Sequence, residues 1–291
     1  MMVTISKRNT KDLFRLGTIS VIAGCALLAS SANATTVIRS GAYGVEVNLS
    51  VLSVLKAQVG PLASTDGIAG TGYDTAGTLA SLNQTLALGT LTGLKIGTGL
   101  ITTGAESVFP LTPTGNADAL VNGLNLSLTA ARASSLGLTA TTLTSHSEVE
   151  GVDAASATGT SKISGLKLTV LGIDLINLSA SEFITAPANS NLLTLLGLNT
   201  ISGLNIMVNE QVPLPGSNAK NAGITTNALH LIFSNFLLGT DRLYGDVIIS
   251  STRAYIDNAN SATPEPATWI QMITGFGLIG VAARRRKKAL A

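Results

Sequence analysis

The chain has 291 residues, of which 45% are hydrophobic, 12% charged and 4% aromatic, with a formal net charge of +2. Between Ala34 and Thr263 nine cations face fourteen anions, so the body carries −5 and the positive balance sits at the two ends. An acidic body excludes a nucleic-acid footprint. A body without cysteine excludes disulfides and cysteine-ligated metal. Low charge with abundant Gly, Ser, Thr, Ala and Leu fits a secreted β-rich chain better than a cytosolic enzyme.

The N-terminus is built for export. Lys7, Arg8, Lys11 and Arg15 precede an apolar run, Leu16 to Ala29, and then Ser30-Ser31-Ala32-Asn33-Ala34. Ala32 and Ala34 form a small-x-small site, so residues 1–34 are expected to be a signal peptide removed by signal peptidase after Ala34. Ile22-Ala23-Gly24-Cys25 resembles a lipobox, which would instead lipidate Cys25. The residues after Cys25 stay apolar, and a lipid anchor would duplicate the apolar segment with its basic block at residues 269–288, so cleavage at Ala34 is the preferred reading.

The body, residues 35–260, alternates like a half-buried sheet. Val45, Val47, Leu49 and Val51 share one face of a strand. Val59 to Ala63, with Gly60-Pro61, reads as a turn, and the glycine-rich stretch from Gly67 to Tyr73 as an exposed loop. From Leu79 to Leu111 a loose Leu/Ala/Gly/Thr repeat carries Gly89, Gly93, Gly97 and Gly99, each costing a helix about 1 kcal/mol relative to alanine. Short strands with glycine turns fit it, and a β-solenoid stays open as a minority alternative. Alternation returns at Leu124, Leu126 and Leu128. The Ser/Thr/Ala-rich stretch Leu136 to Ser164 predicts long paired strands with one face in water. Gly165 to Leu175 predicts two strands bent at Gly172, and Asn191 to Leu198 a short helix or turn. Leu204 to Val212 is a strand running into Pro213. The last two strands, Ile224 to Phe233 and Asp246 to Tyr255, are expected to pair antiparallel.

Few residues here carry chemistry. His230 shares strand parity with Ala228 and Ile232, and Glu210, Asp241 and Asp246 lie near it in sequence. A hydrolase would also need a placed nucleophile and an oxyanion hole, and there is no G-x-S-x-G elbow, so a structural histidine is the expectation. His146, Glu148 and Glu150 would line one strand face, with Asp153 out of phase. That is a weak Zn²⁺ or Ca²⁺ pattern, and a solvated face is the expected state. EF-hand, HExxH and P-loop motifs are absent. Asn48, Asn83, Asn125 and Asn177 begin N-x-S/T, a weak glycosylation hint. No cofactor and no catalytic residue are expected.

Residues 261–291 form a three-part tail. Pro264-Glu265-Pro266 is an extended break, since proline fixes φ and removes a donor. Trp269 to Ala283 is almost free of charge, and Arg284, Arg285, Arg286, Lys287 and Lys288 then form a cytoplasmic basic stop. The fifteen residues 269–283 reach roughly 22 Å as a helix, short of a hydrocarbon core of about 30 Å. A transient sorting helix tolerates that mismatch better than a permanent span. Gly275 to Gly280 matches G-x-G-x-x-G, but arginines and the end of the chain follow where a dinucleotide fold needs an acidic residue, so that reading is rejected.

This tail resembles the PEP-CTERM sorting signal of Gram-negative bacteria, over Pro264 to Lys288. Pro264, Glu265 and Pro266 match the namesake motif, Trp269 a frequent tryptophan after it, and the Gly-Phe-Gly run and arginine cluster its end. The resemblance implies a partner, exosortase, a membrane-embedded cysteine transpeptidase that removes the segment during export through the inner membrane. The body resembles the choice-of-anchor domains, type P best. The match is scattered over Ala42-Tyr43-Gly44-Val45, Val208-Asn209-Glu210-Gln211, Thr226 to His230 and Asp246 to Ile249. It implies no activity and no cofactor.

The expected fold class is therefore all-β, an antiparallel β-sandwich flanked by a signal peptide and a short C-terminal hydrophobic helix. The expected function is that of an exported, non-enzymatic protein of the cell surface or extracellular matrix, associated with exopolysaccharide and biofilm. The alternatives are a carbohydrate- or cation-binding module, which the low aromatic content disfavours, and, further off, a secreted hydrolase.

Overall fold

The computed structural model describes residues 36–51, 55–87, 92–109, 111–130, 133–151, 154–218, 220–238 and 241–258. The expected signal peptide with Ala32 and Ala34, Cys25, Asp153, and the expected sorting tail from Pro264 to Lys288 lie outside these residues.

Residues Thr36–Ala259 form one compact unit. Its strands, in chain order, are β1 (Thr36–Val51), β2 (Leu55–Leu62), β3 (Thr65–Ala69), β4 (Tyr73–Leu79), β5 (Leu82–Ala87) and β6 (Thr92–Thr98). Next come β7 (Ile101–Val108), β8 (Thr114–Ala130), β9 (Ala133–Glu150), β10 (Ser156–Ser164), β11 (Lys167–Val170) and β12 (Ile173–Asn177). After the short β13 (Phe183–Ile184) and β14 (Ser190–Asn191), one helical turn, α1 (Leu192–Leu195), precedes β15 (Leu204–Pro213), β16 (Asn221–Leu238) and β17 (Asp241–Asn258). Asn191 caps α1, its side-chain oxygen accepting from the Thr194 N–H.

The strands form two sheets. Sheet A has seven strands in the order β14-β15-β16-β17-β1-β2, with β3 on β1 below β2. Sheet B has ten, in the order β12-β11-β9-β8-β6-β5, with β7, β10, β4 and β13 continuing it. Their inner faces pack together as a β-sandwich. Every pairing is antiparallel. A solenoid stacks parallel rungs, so that alternative is overturned.

Long strands flanked by pairs of shorter ones reveal a transverse crease. In β1 the buried set is Ile38, Ser40 and Ala42, then Val45, Val47, Leu49 and Val51. In β8 it is Ala117, Ala119 and Val121, then Leu124, Leu126 and Leu128. In β9 it is Leu136, Leu138 and Ala140, then Leu143, Ser145, Ser147 and Val149. Side chains alternate with period two, so each strand has slipped by one residue midway. The slip falls where a residue drops out of the pairing: Asn209, Ala228, Ser250 and Gly44 across sheet A, and Gly123 and Thr141 in sheet B. Asn209, Ser250 and Gly123 have φ of 50°, 55° and 59° there, the left-handed conformation that re-aims a strand. The shorter strands break on the same lines, between β2 and β3, between β6 and β7, and between β10 and β11.

The crease divides the core. Above it lies an oily half of Leu, Val and Ile from both sheets. Below it Ala42, Ala117, Ala119, Ala222 and Ala254 replace the large residues, with Ile38, Val149 and Ile256 at the bottom. The sheets approach closely here, and a Cβ on Gly115 would collide with Ile38 and one on Gly44 with Ile101. Hydroxyls bond across the gap. Ser147 Oγ donates to Thr226 Oγ1 at 2.9 Å and lies 2.8 Å from Thr252 Oγ1. Ser145 Oγ lies 3.1 Å from Ser250 Oγ, which donates to the Ala119 carbonyl at 3.0 Å. The Ser/Thr-rich stretch therefore does more than face water: its inward serines are fully buried and join the sheets.

Two local expectations change. Gly60-Pro61 stays inside β2, where a register shift at Val45/Val47 and an edge position accommodate a residue without an N–H. Gly67 belongs to β3, pairing with Ser40, because β1 offers its free edge below the crease.

Both ends of the body leave together. Thr36 pairs with Asn258, and Thr36 Oγ1 donates to Asn258 Oδ1 at 2.9 Å. Asn258 Nδ2 donates to the carbonyls of Gly151 (2.9 Å) and Lys220 (2.8 Å). The first and last described residues of the body, Thr36 and Asn258, thus lie side by side at the lower end.

Candidate functional site

Both histidines lie on outer sheet faces, one on each sheet. On sheet A the crease assembles the first cluster. The left-handed turn at Asn209 sends Glu210 outward from β15, while His230 projects from β16 and Asp246 from β17. His230 Nδ1 meets Glu210 Oε2 at 2.7 Å, and Asn227 Nδ2 donates to the same oxygen at 2.7 Å. His230 Nε2 stands 3.4 Å from Asp246 Oδ2, within range for charge attraction but without hydrogen-bond alignment. Ala228, expected on the face of His230, is instead fully buried, because the pairing slips between Asn227 and Leu229.

The electrostatics favour the imidazolium. Burial alone would lower the His230 pKa, but the Glu210 hydrogen bond and the charges of Glu210 and Asp246 outweigh it and raise the pKa above 6.5. The His230 hydrogen bond, partly opposed by burial, holds Glu210 below the usual carboxylate range. Next to them on β1, Tyr43 lies against Ser251 and Glu46, and burial pushes its pKa well up. A general base needs a free ring nitrogen near a nucleophile. Both nitrogens of His230 face carboxylates, and neither contacts a hydroxyl. This arrangement ties β15 to β16 through Glu210 and His230, with Asp246 of β17 alongside.

On sheet B the second histidine lies in an open groove of about 470 Å³ on the outer face of the lower half. The groove crosses four strands, with Thr102 and Gly104 of β7, Asp118 and Leu120 of β8, Thr144 and His146 of β9, and Thr160 and Lys162 of β10. His146 Nδ1 is 2.8 Å from Asp118 Oδ1, and its Nε2 is 3.8 Å from Glu148 Oε2. The Asp118 hydrogen bond, with smaller help from the charges of Asp118 and Glu148, raises the His146 pKa against the opposing effect of burial. Sequence reading placed Glu148 and Glu150 beside His146 but missed Asp118, which lies 28 residues away and arrives only through the pairing Asp118↔His146. Among the described residues no group of three or more His, Cys, Asp and Glu could hold a metal ion.

Asn48, Asn83, Asn125 and Asn177 are all exposed. The residues expected to serve sorting, Pro264, Glu265, Pro266, Trp269 and Arg284 to Lys288, and those expected at the cleavage site, Ala32 and Ala34, lie outside the described residues. No protein-family model matches the chain, and neither a curated protein nor a solved structure matches it.

Proposed function

We propose that this chain is an exported, non-enzymatic protein of the cell surface or extracellular matrix of a Gram-negative bacterium. Signal peptidase releases it after Ala34, exosortase processes it at the Pro264-Glu265-Pro266 tail, and it associates with exopolysaccharide. The single observation that carries this reading is the unbroken order of Pro-Glu-Pro, an apolar segment and five cations over Pro264 to Lys288. Each histidine of the body is paired with a carboxylate from a neighbouring strand. Adjacent exits at Thr36 and Asn258 are also consistent with a body held first at one end and then at the other during export. The test is the intact mass of the protein from wild-type cells and from a strain lacking exosortase. The expected outcome is loss of the tail in wild type only; an identical mass and location in both strains removes the reading.

A second reading has its own observation. The groove on sheet B is of the size of small-ligand sites, about 300–1,000 Å³. It favours a binding module as the business end of the exported body.

A further inference from the structure

We infer that the groove across β7, β8, β9 and β10 binds a neutral, hydroxyl-rich glycan chain. The inference rests on the binding-module reading of that groove and is independent of the export route.

Shape comes first. The lining residues occupy three positions along each of four neighbouring strands, 102–104, 118–120, 144–146 and 160–162. Three inter-strand spacings of about 4.8 Å span roughly 14 Å across the strands, against about 7 Å along them. The groove is thus elongated across the sheet and open at the surface, which suits a segment of a chain better than a compact molecule. Its floor dips at Gly104, where an added Cβ would find only the Thr75 carbonyl, at 4.0 Å.

Chemistry comes second. Thr144 and Thr160 offer hydroxyls that donate and accept, Asp118 accepts, and Lys162 donates. A sugar hydroxyl also does both, so this mixture complements a polyol better than a ligand of one polarity. His146 is held in orientation by Asp118 at 2.8 Å, which leaves its other edge toward Glu148. No aromatic ring lines the groove, so stacking is absent and each site binds weakly.

Charge comes third. Asp74, Glu106, Glu148 and Glu150 stand on the same outer face as the groove, as the register Asp74↔Glu106↔Asn116↔Glu148 and Thr114↔Glu150 shows. An anionic chain approaching this face is repelled. Inside the groove Lys162 opposes a polycation locally and Asp118 opposes a polyanion, so the lining selects neither sign and a neutral chain leaves both free to hydrogen-bond.

The test uses the purified full-length protein and glucose hexamers, with oligogalacturonate and chitosan hexamer as anionic and cationic comparators. Binding is read from the imidazole NMR signals of His146, told apart from those of His230 by the His146→Gln variant. Neutral hexamers are expected to shift His146 and not His230, saturating in the millimolar range. Gly104→Tyr fills the groove floor without backbone strain and should weaken binding at least tenfold. Lys162→Ala, an exposed change that spares the fold, should weaken it several-fold. Binding that survives Gly104→Tyr unchanged overturns the inference. Preference for oligogalacturonate or chitosan at His146 overturns the neutral-glycan assignment but keeps a binding groove. If none of the three shifts His146, both fall.

Discussion

His230 couples three strands through one ring. Its two nitrogens face Glu210 of β15 and Asp246 of β17, while Asn227 holds the Glu210 oxygen from the side. Protonation linkage turns this into a pH profile. A raised histidine pKa contributes stability that is fully present below the unfolded value of 6.5 and is lost as pH rises through the folded value. A depressed Glu210 pKa contributes stability present above 4.5 and lost as pH falls through its folded value. Urea unfolding should therefore give a body that is most stable between these limits and weaker at pH 8. His230→Gln should flatten the alkaline limb; an unchanged slope between pH 6 and 8 would show that the cluster is not the cause. Ser147 carries a second residue-scale effect. Removing its hydroxyl leaves buried Thr226 and Thr252 short of a partner, so Ser147→Ala should destabilise by about 1–3 kcal/mol, read as a lower urea midpoint.

At the scale of elements, the crease and one hairpin make opposite predictions. Gly123 has φ 59° where β8 changes phase. An alanine there adopts a left-handed conformation at a cost of about 1–2 kcal/mol, so Gly123→Ala should lower stability by that amount. In the β11–β12 turn, Leu171 and Gly172 have φ of 49° and 81°, the conformation of a two-residue turn that favours Asn-Gly. Leu171 is also 74% exposed. Leu171→Asn should raise stability by up to about 1 kcal/mol in the same unfolding assay. A decrease would mean that the leucine makes a contact worth more than the strain.

For the whole molecule, the two halves differ in what they tolerate. The upper core is packed with large side chains, and Leu126→Ala there should cost about 2–5 kcal/mol through lost burial and a cavity. The lower core is thin, with Ala119 backing onto Ser250, and Ala119→Leu should cost about 1–3 kcal/mol through overpacking. Outer faces follow the same division. The groove lies on the thin lower half, just below the crease.

Much of this was legible in the residues. Alternation in Val45 to Val51 and in Leu124 to Leu128 identified strands and their inward faces, since period two is a local property of an extended chain. The pairing of the last two strands followed from their short connection. The change of phase was not legible. Gly123 and Asn209 are residue types that accept a left-handed conformation, but nothing local singles them out from the chain's other Gly and Asn, and Ser250 carries no such sign; alignment with neighbouring strands selects these positions. The candidate sites were half legible for the same reason. His146 and His230 stood out as the chain's only histidines. Asp118 comes from 28 residues away and Glu210 from 20, distances that only register closes.

The sequence by itself determined the all-β class, the acidic cysteine-free body and the export and sorting expectations at both ends, because composition, alternation and contiguous motifs are local. Tertiary structure alone decided that the strands change phase on a common line, that buried hydroxyls join the sheets below it, and that each histidine is engaged by a carboxylate from another strand. Those outcomes depend on which residues lie opposite one another, and hydrogen-bond register between distant strands sets that.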